Sequence, residues 1–305
     1  MVDAAPFDSF SLLGRTALVT GSSRGLGAAT ARRLARAGCD VVITYRRQET
    51  AAQEVAAAVE AAGQRAWVQR CDMGEVDDID ALLVAVADSE RGPGWLDIVV
   101  ANAAATSFRP LLEAEPRHLE RTFAISVTGF LRLVQRSMPL LEASGHGRVV
   151  AVSGADTVTW IPAHGILAAA KAAMESMVAY LACEVGERGV SVIGVNPGWI
   201  DGDSLHLMLG PFYEAAADVE RRTHPMRQTM SPDDVAESVV ALCTDAARLM
   251  SGSVVAADGA GVFAFCGRFI TLSAEQALAG GAGVEDTAGA GAAPSVVRGT
   301  PPASA

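Results

Sequence analysis

The sequence predicts a doubly wound α/β fold organised on a parallel sheet. Three observations predict it. Short apolar runs alternate with longer segments of helical period along most of the chain. The runs are continuously apolar rather than alternating, which suits strands covered on both faces. The first run leads into a turn spaced by Gly21, Gly25 and Gly27, which opens the first helical segment.

In chain order, residues 15–20 read as a short buried strand. The helix that follows runs to about Ala37, with Leu26, Ala29, Leu34 and Ala37 on one stripe and Gly38 as its stop. A second strand is expected at 41–45 and an alanine-rich helix at 48–62, ended by Gly63. A third strand follows at 65–71. The helix at 76–90 presents Ile79, Leu82, Leu83 and Val86. Strand four falls at 97–101, one long helix or two at 116–142, and strand five at 148–153. A long helix is expected at 163–188 and strand six at 190–195. Ser231 and Pro232 read as N-cap and first residue of a helix at 232–244, and the last strand is 253–257.

Formal net charge is −11 over 305 residues. A phosphate-binding surface needs a concentrated basic field, so nucleic acid is not an expected partner. Half of the residues are hydrophobic, enough for a sizeable core. Cys39, Cys71, Cys183, Cys243 and Cys266 are scattered, with no C-x-x-C pair and no ligand-spaced His/Cys cluster. No metal site is therefore expected, and a reduced, cytoplasmic setting is. The first residues lack a basic or apolar leader pattern, and no unbroken run of about 18 apolar residues occurs, so neither secretion nor a membrane span is expected. Residues 1–265 read as one domain. Residues 266–305 are low in complexity and read as a disordered tail, with packing on a partner subunit as the other reading.

Glycine at 21, 25 and 27 permits a tight turn and close backbone approach, and amides at the helix start can face an anionic pyrophosphate. A plain glycine turn is the bland alternative. An acid ending the second strand would pair with a ribose 2′-hydroxyl and mark NAD. That position holds Tyr45, followed by Arg46 and Arg47, with Arg24 inside the glycine turn. Arginines hold a 2′-phosphate through charge-assisted hydrogen bonds, so NADPH is the expected cofactor. For Arg46 and Arg47 the alternative is an ordinary solvated helix start.

Thr20-Gly21-Ser22-Ser23-Arg24-Gly25-Leu26-Gly27 resembles the T-G-x-x-x-G-x-G of the short-chain dehydrogenase/reductase family, a Rossmann fold. Asp72-Met73 resembles the family's adenine-contacting pair. Asn102-Ala103-Ala104 resembles its N-A-G segment, with Ala104 for glycine. Lys171 matches the active-site lysine, and Asn196-Pro197-Gly198 matches the N-P-G turn against nicotinamide. Asp258-Gly259-Ala260 resembles its D-G-G. The resemblance spans about residues 12–263. It implies cofactor contacts from Gly21, Ser23, Arg24, Gly25, Leu26, Gly27, Arg46, Asp72, Met73, Asn102, Ala103, Lys171, Pro197, Gly198 and Ile200. It also implies a homodimer or homotetramer packed through the long helices after strands four and five.

The resemblance fails at the catalytic positions. The family's proton-donating Tyr and its substrate-binding Ser are here Leu167 and Gly154. Its structural Asn is Ser126, and the usual Thr after the P-G turn is Gly202. Leu167 cannot donate a proton, so ordinary alcohol–ketone chemistry by the standard route is excluded unless another group substitutes. His164 lies seven residues before Lys171, the spacing at which related enoyl-thioester reductases carry their Tyr. If both residues are helical they share a face, and histidine titrates where a proton donor should. A polar loop residue is the bland reading of His164. Ser153, Asp156, Thr157, Trp160, Trp199 and Asp203 are further candidates nearby. Residues 206–213 fall in the family's substrate lid.

Two functions are compatible with this pattern. The first is an NADPH-dependent reductase of an activated C=C or C=O, with Lys171 and His164 handling the proton and a specialised, polyketide-like small molecule as substrate. The second is a cofactor-binding scaffold without hydride transfer, serving as a cyclase, partner or regulator.

Overall fold

The computed structural model describes residues 8–264; the tail expected at 266–305 lies outside the described residues. The strands are β1 (Thr16–Val19), β2 (Asp40–Tyr45), β3 (Ala66–Arg70), β4 (Ile98–Ala101), β5 (Arg148–Val152), β6 (Ser191–Asn196) and β7 (Val254–Ala256). They form one sheet in the order β3-β2-β1-β4-β5-β6-β7, and every pairing is parallel. The seven strands are those expected, with no end shifted by more than one residue.

The helices are α1 (Gly25–Arg36), α2 (Glu49–Ala61), α3 (Val76–Ala87), α4 (Pro116–Phe123), α5 (Gly129–Ser144), α6 (Gly165–Val185), α7 (Asp203–Leu209), α8 (Tyr213–Thr223) and α9 (Pro232–Leu242). Successive strand side chains point to opposite faces, and the core divides accordingly. Ala17, Val19, Val41, Ile43, Ile98 and Val100 pack with α1, α2 and α9. Leu18, Val42, Val99, Val149 and Ala151 pack with α3, α5 and α6. Each fully buried Val, Leu or Ile contributes about 2 kcal/mol of transfer free energy, which is why both faces of the strands are apolar.

The segment read as one helix or two is continuous. α4 passes through a π turn, Ala124–Thr128, into α5. A Cβ on Gly129 would collide with the Met73 carbonyl oxygen, so the helix lies directly against the turn after β3.

α6 starts later than the sequence suggests. Ala163 takes φ +63, a left-handed conformation that an α-helix cannot contain, and His164 is only the N-cap residue. His164 therefore flanks the start of α6 rather than lying within it. With its following turn, α6 (Gly165–Arg188) is long and apolar enough to cross a bilayer by length and composition. Here it packs against β6 and carries the buried Lys171, as a core helix does.

At the edge where the strands begin, charges are paired. Asp245 accepts from Arg15 at 2.7 Å and from Arg148 at 2.8 Å. Asp40 holds Arg65, and Asp97 Oδ2 accepts the Thr16 amide at 2.8 Å. The opposite edge, where the strands end, carries the glycine turn and the loops after β4, β5 and β6.

Candidate active site

Strand order reverses between β1 and β4, which opens a crevice at their carboxyl ends. The glycine turn is tied across it. The Thr20 hydroxyl accepts the Asn102 and Ala103 amides, both at 3.0 Å, and Asn102 Nδ2 donates to the Thr20 carbonyl at 2.9 Å. Ser22 Oγ donates to the Val19 carbonyl at 2.7 Å. Gly21 and Gly25 take φ +64 and +54. A Cβ on Gly27 would strike the Gly21 carbonyl oxygen and Asn102 Nδ2, so only glycine lets the turn close. α1 begins with no capping side chain and no acid in its first turn, which leaves its amides facing outward for an anion. Ser23 and Leu26 are half-buried in this turn.

Arg24, Arg46 and Arg47 are all exposed at the carboxyl ends of β1 and β2. Arg46 lies 3.9 Å from Asp72. Asp72 also accepts from Arg121 at 2.7 and 2.8 Å and from the Gly74 amide at 3.0 Å. Partial burial pulls its carboxyl upward, but the Gly74 amide and Arg121 outweigh that and hold it below its ordinary range. Met73 beside it is buried.

Lys171 is buried, and its Nζ donates to the Val152 carbonyl at the end of β5. Burial lowers its pKa to about 8 against the opposing pull of Asp156 and Glu175. Glu175, one turn further along α6, accepts from the hydroxyls of Ser153 and Thr157. Asn196 Nδ2 donates to the Gly154 carbonyl at 2.9 Å, and its Oδ1 accepts the Gly198 amide at 3.1 Å, so β6 fixes both the turn after β5 and its own. In that first turn Asp156 folds back. Its Oδ1 stands 2.6 Å from where a Cβ on Gly154 would lie, and its Oδ2 is buried with no hydrogen-bond partner among the described residues. Burial raises the Asp156 carboxyl above its ordinary range, and the charges of His164 and Lys171 only partly offset this.

His164 Nδ1 lies 3.0 Å from the Pro162 carbonyl oxygen, and its ring is tilted on Phe108 with centroids 4.9 Å apart. Leu111 covers the start of α6 at Gly165, and Val158 and Trp160 are exposed beside it, so the mouth of the site is apolar. Pro197 is buried, Gly198 takes φ +66, and Ile200 pairs with Met230. Trp199 lines a small cleft with Leu205, Leu209, Ala217 and Met230. Ser126 sits in the π turn, buried, with its hydroxyl unpartnered among the described residues.

Sequence reasoning missed two features here. Glu175 was legible only as an i+4 neighbour of Lys171. The segment 206–213, expected to be a lid, falls in α7 and the start of α8, joined by Asp201, which meets His206 at 3.0 Å and accepts from the Tyr213 hydroxyl at 2.7 Å.

Residues 21–261 match the family model described as Enoyl-(Acyl carrier protein) reductase. The chain is 33% identical to a 1-cyclohexenylcarbonyl-CoA reductase of Streptomyces collinus, over 80% of this chain and 86% of that one. It is 30% identical to versicolorin reductase 1 of Aspergillus parasiticus, over 83% of this chain and 98% of the other. Among solved structures it resembles the angucycline C-6 ketoreductase LanV with bound NADP, with a TM-score of 0.76 and 29% identity over 83% of this chain and 97% of that one. With the reversed strand order, the closed glycine turn and Lys171 in place, these likenesses establish that the chain belongs to the short-chain dehydrogenase/reductase family of oxidoreductases.

Proposed function

We propose that this protein is an NADPH-dependent reductase of an activated C=O or C=C in a polyketide-like small molecule, with a proton-delivery site of its own. The observation that carries the reading is the pairing of a closed glycine turn and an uncapped α1 with a buried lysine at the end of β5. Gly21, Ser23, Arg24, Gly25, Leu26 and Gly27 would hold the pyrophosphate and adjoining ribose, and Asp72 and Met73 the adenine. Asn102, Ala103, Pro197, Gly198 and Ile200 would border the nicotinamide ribose and ring. Arg24 and Arg46 favour a 2′-phosphate. A bound reduced nicotinamide would supply a hydride. Lys171 and His164 then border the place where the substrate takes its proton, and the apolar mouth suits a flat, weakly polar ring system.

Relatives named for enoyl reduction and for keto reduction both lie near this chain, which supports the reaction class and leaves both bond types inside the reading. A homodimer or homotetramer in the cytoplasm is part of the reading, supported by the family's habit of pairing its long helices. The second reading, a scaffold without hydride transfer, is favoured by one observation: Leu167 and Gly154 carry no proton for the substrate.

Fluorescence titration with NADPH and NADH tests the reading. NADPH is expected to bind at least tenfold more tightly, and Arg24→Ala or Arg46→Ala is expected to remove most of that preference. Oxidation of NADPH by a panel of bicyclic ketones and enones then separates enzyme from scaffold. No binding of either nucleotide defeats the reductase reading.

A further inference from the structure

We propose that Asp156 is the residue that touches the substrate oxygen and hands it a proton, in place of the absent Tyr and Ser. The inference rests on the reductase reading above. Its geometry is independent of that reading.

The Asp156 carboxyl fills the space that a side chain at position 154 would occupy, with Oδ1 2.6 Å from the ideal Cβ of Gly154. Gly154 is therefore not merely a lost hydroxyl; it makes room for a different oxygen. The second carboxyl oxygen, Oδ2, is buried and has no partner among the described residues. A buried unpaired carboxyl oxygen is costly unless a ligand satisfies it. The titratable groups facing Asp156 are His164 at the start of α6 and Lys171 and Glu175 within it. His164 is engaged elsewhere, with Nδ1 3.0 Å from the Pro162 carbonyl oxygen and its ring tilted on Phe108. Lys171 donates to the Val152 carbonyl, but an ammonium keeps two further protons. Asp156 thus stands as the acid, with Lys171 as the cation that restores its proton.

For a ketone the step balances as follows. A bound reduced nicotinamide would give up a ring C–H bond as its hydride forms the new C–H bond at the carbonyl carbon. The C=O π pair moves to oxygen, which takes the proton from the Asp156 carboxyl as that O–H bond breaks. The carboxylate regains a proton from Lys171, and Lys171 from water. The net change is ketone plus reduced dinucleotide plus one proton, giving alcohol plus oxidised dinucleotide. The burial that raises the Asp156 carboxyl keeps more of it in the donating form as neutrality is approached.

The test uses the full-length protein. Infrared difference spectra of wild type against Asp156→Asn, without nucleotide, are expected to show a protonated carboxyl band that titrates above the ordinary carboxylate range. With NADPH and 2-tetralone, Asp156→Asn is expected to lose about a hundredfold in kcat. It should also lose the alkaline fall in kcat that wild type shows as Asp156 ionises. Asp156→Glu should recover part of the rate. NADPH affinity should stay within threefold in both variants. A missing carboxyl band, or an Asp156→Asn variant with wild-type kcat and pH profile, overturns the assignment and leaves the reductase reading standing. Wild-type protein that does not bind NADPH overturns both.

Discussion

The Asp156 carboxylate occupies the volume that a side chain on Gly154 would fill, 2.6 Å from its ideal Cβ. The two residues are two positions apart in the turn after β5, and neither can change without the other responding. Gly154→Ala should therefore destabilise the protein by about 1 kcal/mol, because the carboxylate must swing away. In an Asp156→Ala background the same change should cost nothing. A double-mutant cycle on the midpoint of chemical unfolding measures the coupling, which should be about 1 kcal/mol.

Gly27 should tolerate no side chain. Its neighbours are the Gly21 carbonyl and the Ser22 backbone, which cannot move independently of β1. Gly27→Ala is expected to cost about 3 kcal/mol and to weaken NADPH binding more than tenfold. Gly25 has open space around it and a φ of +54, so Gly25→Ala should cost only about 1 kcal/mol of backbone strain. Calorimetry of both variants separates collision from conformation.

Ala260 replaces the second glycine of the family's D-G-G and takes φ +64. An L-residue there bears about 1 kcal/mol of strain. Ala260→Gly should raise the unfolding free energy by a few tenths to about 1 kcal/mol, after the added chain entropy of the unfolded state is subtracted. A lower stability in that variant would mean that the methyl group packs usefully.

Lys171 gives a pH signature. Its folded pKa of about 8 lies below the ordinary lysine value of 10.5 because burial disfavours its charge. Between those values the unfolded chain binds more protons, so this group's contribution rises with pH. Below pH 8 its full cost, about 3 kcal/mol, is present. Lys171→Met should thus be more stable than wild type at pH 7, with the gap closing towards pH 10.5. Unfolding curves of both proteins across that range check the sign.

Asp245 lies at the edge away from the site. Burial pulls its carboxyl up, and Arg15 and Arg148 pull it down by more. Its contribution is present above the unfolded carboxylate value and is lost as pH falls through the lower folded value. Asp245→Asn leaves the buried Arg148 guanidinium without its counter-charge and should cost about 3 kcal/mol. NADPH affinity in that variant should be unchanged, since the glycine turn is at the other end of the strands.

The sequence by itself determined the sheet and much of the crevice. Val19, Val42 and Val100 lie in continuously apolar runs because both faces of a parallel strand are covered, and that is a local pattern. Gly21, Gly25 and Gly27 are legible because the first two take positive φ and the third is approached too closely for a side chain. The lack of a proton donor at Leu167 is equally plain. Tertiary structure alone decided how Asp156 and His164 are placed around that position. Whether Asp156 turns out to solvent or back over Gly154 depends on Asn196 of β6, which holds the Gly154 carbonyl from 42 residues away. The displacement of His164 from α6 rests on the left-handed Ala163, whose carbonyl accepts from the Arg109 amide in the loop after β4. Periodicity reads contacts made within one element. These two side chains are placed by contacts between elements, which no local pattern encodes.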